Sequence, residues 1–112
     1  MVNDGYETRE PTRAEVEALP GITLLEFGAA WCGWCRAAKP LIGQALQDFP
    51  QVRHLRIADG SGRPLGRSYR VKLWPTLIVL NDGVEVARVV RPSSVDAIRD
   101  LLASAAEPAR PA

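Results

Sequence analysis

The sequence predicts an α/β domain: a central mixed β-sheet with helices on both faces. Three observations predict it. Short apolar, β-branched runs alternate with stretches of helical period. The order strand–helix–strand occurs twice, which implies parallel neighbours in a central sheet. The last two strands are joined by Asn81-Asp82-Gly83, a strong hairpin signal. At 112 residues the chain fits one domain and buries a core without disulfide staples.

The elements follow in order. Residues 6–10 (YETRE) read as a short edge strand. Thr12 and Glu15 have capping-box spacing, so a short helix starts there, runs to about Leu19 and stops at Pro20-Gly21. Ile22 to Phe27 is mostly apolar and suits a central strand buried on both faces. From about Gly33 the period becomes helical, with Ala37, Ala38, Leu41, Ala45 and Leu46 on one stripe. Pro40 lies inside this helix and is expected to kink it, and Phe49-Pro50 ends it. Val52 to Ala58 alternates as a strand, and Asp59-Gly60-Ser61-Gly62 is a turn. Pro64 is placed to open a short helix near Leu65 to Tyr69. Thr76 to Leu80 is a strand, and Val84 to Val90 returns antiparallel to it. Ser93 or Ser94 caps a last helix with Val95, Ile98, Leu101 and Leu102 on its inner face. From Ala103 the composition turns to Ala, Pro, Glu and Arg, so the domain is drawn over 1–104 and residues 105–112 as a flexible tail.

The formal net charge is +1, with arginines scattered among acids, which gives no electrostatic case for nucleic acid or an anionic membrane. No stretch is long and apolar enough to span a bilayer. The opening MVNDGYETRE lacks a basic segment followed by an apolar one, so no secretory signal is read and a cytoplasmic location is expected.

The chain has two cysteines, Cys32 and Cys35, at the start of the long predicted helix. A structural disulfide between them would be out of place in a reducing compartment, and so short a loop gains little from closure. Residues three apart at a helix start have Cβ atoms about 5–6 Å apart. A disulfide needs about 3.5–4.5 Å, so the pair opens and closes with little motion. The unpaired N–H groups of the helix N-terminus favour an anion, which makes Cys32 the nucleophile. Cys35, one turn further in, is the resolving thiol. The alternative for a Cys-x-x-Cys pair is half of a metal site. Such sites take about four ligands, and the one histidine, His54, falls in a predicted strand as a surface residue, so a metal would need two chains. Glu26 is a carboxylate in an otherwise apolar strand, costly unless it has a partner or a task. Burial is expected to raise its pKa, which suits a proton acceptor for Cys35; an ion pair with a lysine or arginine is the plainer reading.

Phe27-Gly28-Ala29-Ala30-Trp31-Cys32-Gly33-Trp34-Cys35-Arg36 resembles the active-site segment of the thioredoxin family. Pro40, Trp74-Pro75-Thr76 and the closing hairpin match that family in order, over about residues 6–104. The resemblance implies a thioredoxin fold and a thiol–disulfide oxidoreductase, with Cys32, Cys35 and Glu26 catalytic. Pro75 would be cis and face the sulfurs, beside Trp74 and Thr76. Trp31 would pack beside Cys32 and shield it; Gly33, Trp34 and Arg91 would border the substrate groove. Four features depart from the family pattern: glutamate for aspartate at 26, tryptophan for proline at 34, Trp74 for a small aliphatic residue, and Arg91-Pro92 for a glycine. Leu55 or Arg56 falls near the family's usual lysine.

The resulting expectation is a monomeric dithiol reductase that needs no bound cofactor beyond its own redox-active cysteine pair. It would act on protein or small-molecule disulfides and take electrons from a separate disulfide reductase, with a potential somewhat above that of thioredoxin. A disulfide oxidase or isomerase is the close rival. A binding module that uses Trp31, Trp34 and Trp74 without redox turnover is the distant one.

Overall fold

The computed structural model describes residues 5–106. The elements are α1 (Arg13–Glu17), β1 (Ile22–Gly28), α2 (Gly33–Leu46), β2 (Arg53–Ala58), α3 (Pro64–Ser68), β3 (Thr76–Asn81), β4 (Val84–Val90) and α4 (Val95–Ala106). Four strands form one sheet in the order β2-β1-β3-β4. β1 and β2 are parallel, and β3 is antiparallel to both β1 and β4.

One of the two expected parallel crossovers is therefore present. The other is not, because α3 cannot supply it. Five helical residues span about 7.5 Å, whereas a six-residue strand spans about 20 Å. The chain does not travel back along β2. It crosses the end of β1 and enters β3 running the other way, with Thr76 beside Phe27.

The N-terminal segment also differs from expectation. Residues 6–10 form no strand; the Glu7 N–H donates once to the Arg56 carbonyl (2.8 Å), and the Tyr6 side chain turns into the core. In α1 both capping-box bonds are present, between Thr12 and Glu15, and the helix stops at Glu17, two residues early. α2 runs unbroken through Pro40.

Burial assigns the two faces. Leu24, Leu77 and Val79 pack under Ala38, Ile42 and Ala45 of α2 and Ile98, Leu101 and Leu102 of α4. Leu25, Phe27, Ile78 and Leu80 pack on the opposite face with Val16, Leu65 and Tyr69. β1 and β3 are the inner strands, and every residue from Thr23 to Gly28 is buried. The hairpin turns at Asp82 and Gly83, both at positive φ (50° and 82°), as a two-residue loop of this kind requires. A Cβ on Gly83 would also collide with the Glu17 carbonyl, so the turn and α1 fit only with glycine there. Ser94 caps α4, its hydroxyl accepting from the Ala97 N–H (3.1 Å). α4 continues through Ala106, and the Ala105 carbonyl accepts from Asn81 Nδ2 (3.1 Å). The first two residues of the expected tail thus belong to the helix, and residues 107–112 lie outside the described residues. Among the described residues no helix is long and apolar enough to cross a membrane.

Candidate active site

The site is built where β1 ends and α2 begins. The Gly28 carbonyl accepts from the Asp59 N–H (2.8 Å), and the Cys32 N–H donates to the Ala29 carbonyl (3.1 Å), so a tight turn delivers Cys32 to the N-cap of α2. There Cys32 Sγ accepts the Cys35 N–H at 3.2 Å. The sulfur does what a serine or aspartate oxygen does at other helix starts. Both thiols are free and buried, at 6% and 2% exposure. Burial, reinforced by the Cys32 sulfur, pushes the Cys35 thiol up to about 11. A thiol with that value holds roughly one part in 10⁴ as thiolate at neutral pH. Gly28 leaves room for it: a Cβ there would lie 2.7 Å from Cys35 Sγ and 3.0 Å from the Tyr6 hydroxyl.

Behind Cys35 lies a buried polar network. Side chains two apart on a strand share a face, so Glu26 shares the α2 face with Leu24. The parallel register sets His54 beside Leu24 and Arg56 beside Glu26. Glu26, 1% exposed, has His54 Nε2 2.8 Å from one carboxylate oxygen and accepts from Arg56 Nε (3.2 Å) at the other. The carboxylate is thus both buried and paired, and the arginine stands at one of the two positions expected for the family's lysine. His54, expected as a surface residue, is only 26% exposed because its register turns it toward Glu26. The Arg56 guanidinium also lies 4.2 Å from the centre of the Tyr6 ring. Burial, then the nearby Cys35, pushes the Tyr6 hydroxyl up to about 12. The negative charge of Glu26 acts on Cys35 and Tyr6 alike, raising both. A cleft of about 190 Å³, walled by Tyr6, Cys35, Lys39 and Arg56, opens this network to the surface.

The outer face is aromatic. Trp31 is 73% exposed and meets Trp74 edge-on at 5.3 Å. It does not shield Cys32; Trp74 is the ring packed against the Ala29–Cys32–Cys35 cluster. Trp74 Nε1 donates to Asp59 Oδ2 (2.9 Å). Trp34 is 58% exposed, with the Arg91 guanidinium 4.9 Å from its ring centre. Arg91 Nε donates to the Trp74 carbonyl and its backbone N–H to the Pro75 carbonyl, both at 2.9 Å. The Trp74–Pro75 peptide is cis, as the resemblance implied. Gly33 is exposed. Thr76 is 1% exposed, and its hydroxyl donates to the Leu73 carbonyl (2.6 Å), so it fixes the loop and offers nothing to the surface.

The sequence alone points to no catalytic or binding role for Tyr6, His54 or Asp59. Tyr6 and His54 join the site through long-range register. Asp59 carried a local signal, since it directly follows the strand whose end meets the cysteine loop.

The comparisons agree with this geometry. The family model described as Thioredoxin matches residues 6–104. The chain is 36% identical over 83 residues to a thioredoxin of Chlamydia trachomatis, covering 73% of this chain and 80% of that protein. It is 29% identical over 69 residues to an H-type thioredoxin of Fagopyrum esculentum, covering 62% of this chain and 60% of that one. Among solved structures, reduced thioredoxin 2 from Pseudomonas aeruginosa superposes with a TM-score of 0.78 at 50% identity, covering 88% of this chain and 92% of that one. The chain therefore belongs to the thioredoxin family, and its enzyme class is that of a thiol–disulfide oxidoreductase.

Proposed function

We propose that the chain is a dithiol reductase of protein disulfides, acting as a monomer in the cytoplasm. Cys32 attacks one sulfur of a substrate disulfide. That S–S bond breaks, a Cys32–substrate mixed disulfide forms, and the first substrate thiol leaves with a proton. Cys35 then gives up its proton and attacks Cys32 Sγ. The mixed disulfide breaks, the second substrate thiol leaves, and the Cys32–Cys35 disulfide remains. Two electrons have passed to the substrate, and a separate disulfide reductase restores the dithiol.

The observation that carries this reading is the buried pair itself. The Cys35 N–H aimed at Cys32 Sγ (3.2 Å) is placed to stabilise the charge that sulfur bears as nucleophile and as leaving group. The elevated Cys35 thiol must be deprotonated as it attacks. Glu26 is the buried carboxylate whose charge it feels, and we assign it as the proton acceptor.

The test is the equilibrium potential of the pair, titrated against defined thiol buffers with alkylation and intact mass as readout. A value near −270 mV, or modestly above it, supports the reductase. A value of about −120 to −180 mV makes the protein a disulfide donor or isomerase. A Cys32→Ser variant that keeps full activity would replace both readings with a binding module.

A further inference from the structure

On the far side of Trp74 from the cysteines the surface is strongly cationic. A cleft of about 510 Å³ is walled by Arg63, Arg67, Arg70 and Lys72, with Asp59 also lining it. From Gly60 to Leu80 the chain carries these four cations and no carboxylate, although its formal net charge is only +1. All four are exposed, and among the described residues none of them forms an ion pair. Asp59, the cleft's one acid, already accepts the Trp74 indole N–H at 2.9 Å. Arg70 follows α3 at φ 58°, a helix-end conformation that favours glycine, yet the chain places a cationic side chain there.

The cleft adjoins the redox site through Asp59 and Trp74. Asp59 belongs to its wall and holds Trp74, and Trp74 packs on the Cys32–Cys35 cluster. We infer that this cleft receives an acidic segment of the protein substrate and so positions a flanking disulfide over Cys32. This rests on the reductase reading. The chemistry favours a flexible acidic chain over a small bound anion. The cations sit on long exposed stems around an open surface, which attracts several charges at a distance and sets encounter rate and partner choice. A contiguous acidic stretch also reaches from this cleft across Trp74 to the sulfurs, where a free anion has no link to the reaction.

The experiment uses two disulfide-bonded peptides, identical except for a tail of four glutamates or four glutamines. Their second-order reduction rates are measured with the pre-reduced protein at low and high salt. Arg63→Ser/Arg67→Ser and Arg63→Glu/Arg67→Glu are the variants, and circular dichroism checks their fold. The acidic tail is expected to speed reduction by about five- to tenfold at low salt. That advantage should fall to within about twofold at high salt and in the serine variant, and invert in the glutamate variant. Equal rates for the two peptides with the unaltered protein overturn the inference, as does an advantage that survives both variants. So does an advantage abolished by millimolar phosphate at constant ionic strength, which would make the cleft a small-anion site. If neither peptide is reduced, the reductase reading has failed on its own. Tryptophan-fluorescence titration with the cysteine-free acidic peptide then decides the cleft: binding lost in the variants supports it, and no binding overturns it.

Discussion

The Cys35 thiol makes the stability of the reduced protein depend on pH above neutrality. Its pKa rises from an ordinary 9.0 to about 11 in the fold, chiefly through burial at 2% exposure. A raised pKa means the folded state holds its proton more tightly than the unfolded chain. The contribution is complete below about pH 9 and is lost as pH climbs through 11. Two pKa units correspond to about 3 kcal/mol, of which about 2 kcal/mol is gone by pH 10.5. Urea unfolding under reducing conditions, at steps between about pH 8 and 10.5, measures this directly. Cys35→Ala is the comparison, since it keeps Cys32 and Tyr6 and any packing loss it suffers is independent of pH. The stability gap between the two proteins should narrow by about 2 kcal/mol over that range. Thiolate absorbance in the native protein should show Cys35 still protonated near pH 10. A gap that stays constant, with both thiols ionised by about pH 9.5, would refute the argument and with it the need for a base in the resolving step.

Four further outcomes follow from the geometry. Glu26→Gln keeps the volume but removes the charge beside Arg56 and His54; it should cost about 1–3 kcal/mol in urea unfolding. The same variant should lengthen the life of the Cys32 mixed disulfide about tenfold or more in quenched single-turnover reactions, and resolution at the unaltered rate would exclude Glu26 from proton transfer. Glu26→Leu leaves the Arg56 charge, itself only 13% exposed, without its carboxylate; it should cost about 3–5 kcal/mol, and a variant as stable as the parent would show that the pair stabilises nothing. Gly83→Ala combines a positive φ with a collision at the Glu17 carbonyl. It should cost about 2–4 kcal/mol, and a loss under about 1 kcal/mol would contradict the contact between hairpin and α1.

What could be read from the sequence was local. The capping box at Thr12, the proline opening α3, the Asn81-Asp82-Gly83 turn and the cysteine pair each declare themselves within four residues. The failures were non-local. YETRE has strand composition, but a strand exists only with a partner, and the Glu7–Arg56 backbone bond does not extend into a ladder with β2. The direction of β3 depended on how far α3 could carry the chain, which composition does not state. Alternation in Arg53–Ala58 puts His54 and Arg56 on one face, yet only the register with β1 reveals that Glu26 is on it too. The end of α4 was misplaced for a different reason: alanine is the best helix former, and an Ala-rich stretch reads equally as helix or tail. The arginines read as scattered because charge was balanced over the whole chain, whereas residues 60–80 carry cations alone.

Burial creates the chemical difficulty at this site and also supplies its remedy. Cys35 sits at 2% exposure, where its proton is hard to remove. Glu26 sits at 1% exposure, where an isolated carboxylate would be untenable. The sheet resolves the second problem by register, setting Arg56 and His54 beside the carboxylate. Under the proposed chemistry this answers the first problem as well, because a base held in place within the core can take the Cys35 proton as the thiol attacks. On that reading the substrate and the Cys35 proton use different sides of the sheet end at which Cys32 and Cys35 sit. Under that chemistry the substrate sulfur would reach Cys32 from the face of Trp31, Trp34 and Trp74. Under that same chemistry the proton would leave on the β2 side, where the His54 ring is 26% exposed and the 190 Å³ cleft beside Arg56 reaches the surface.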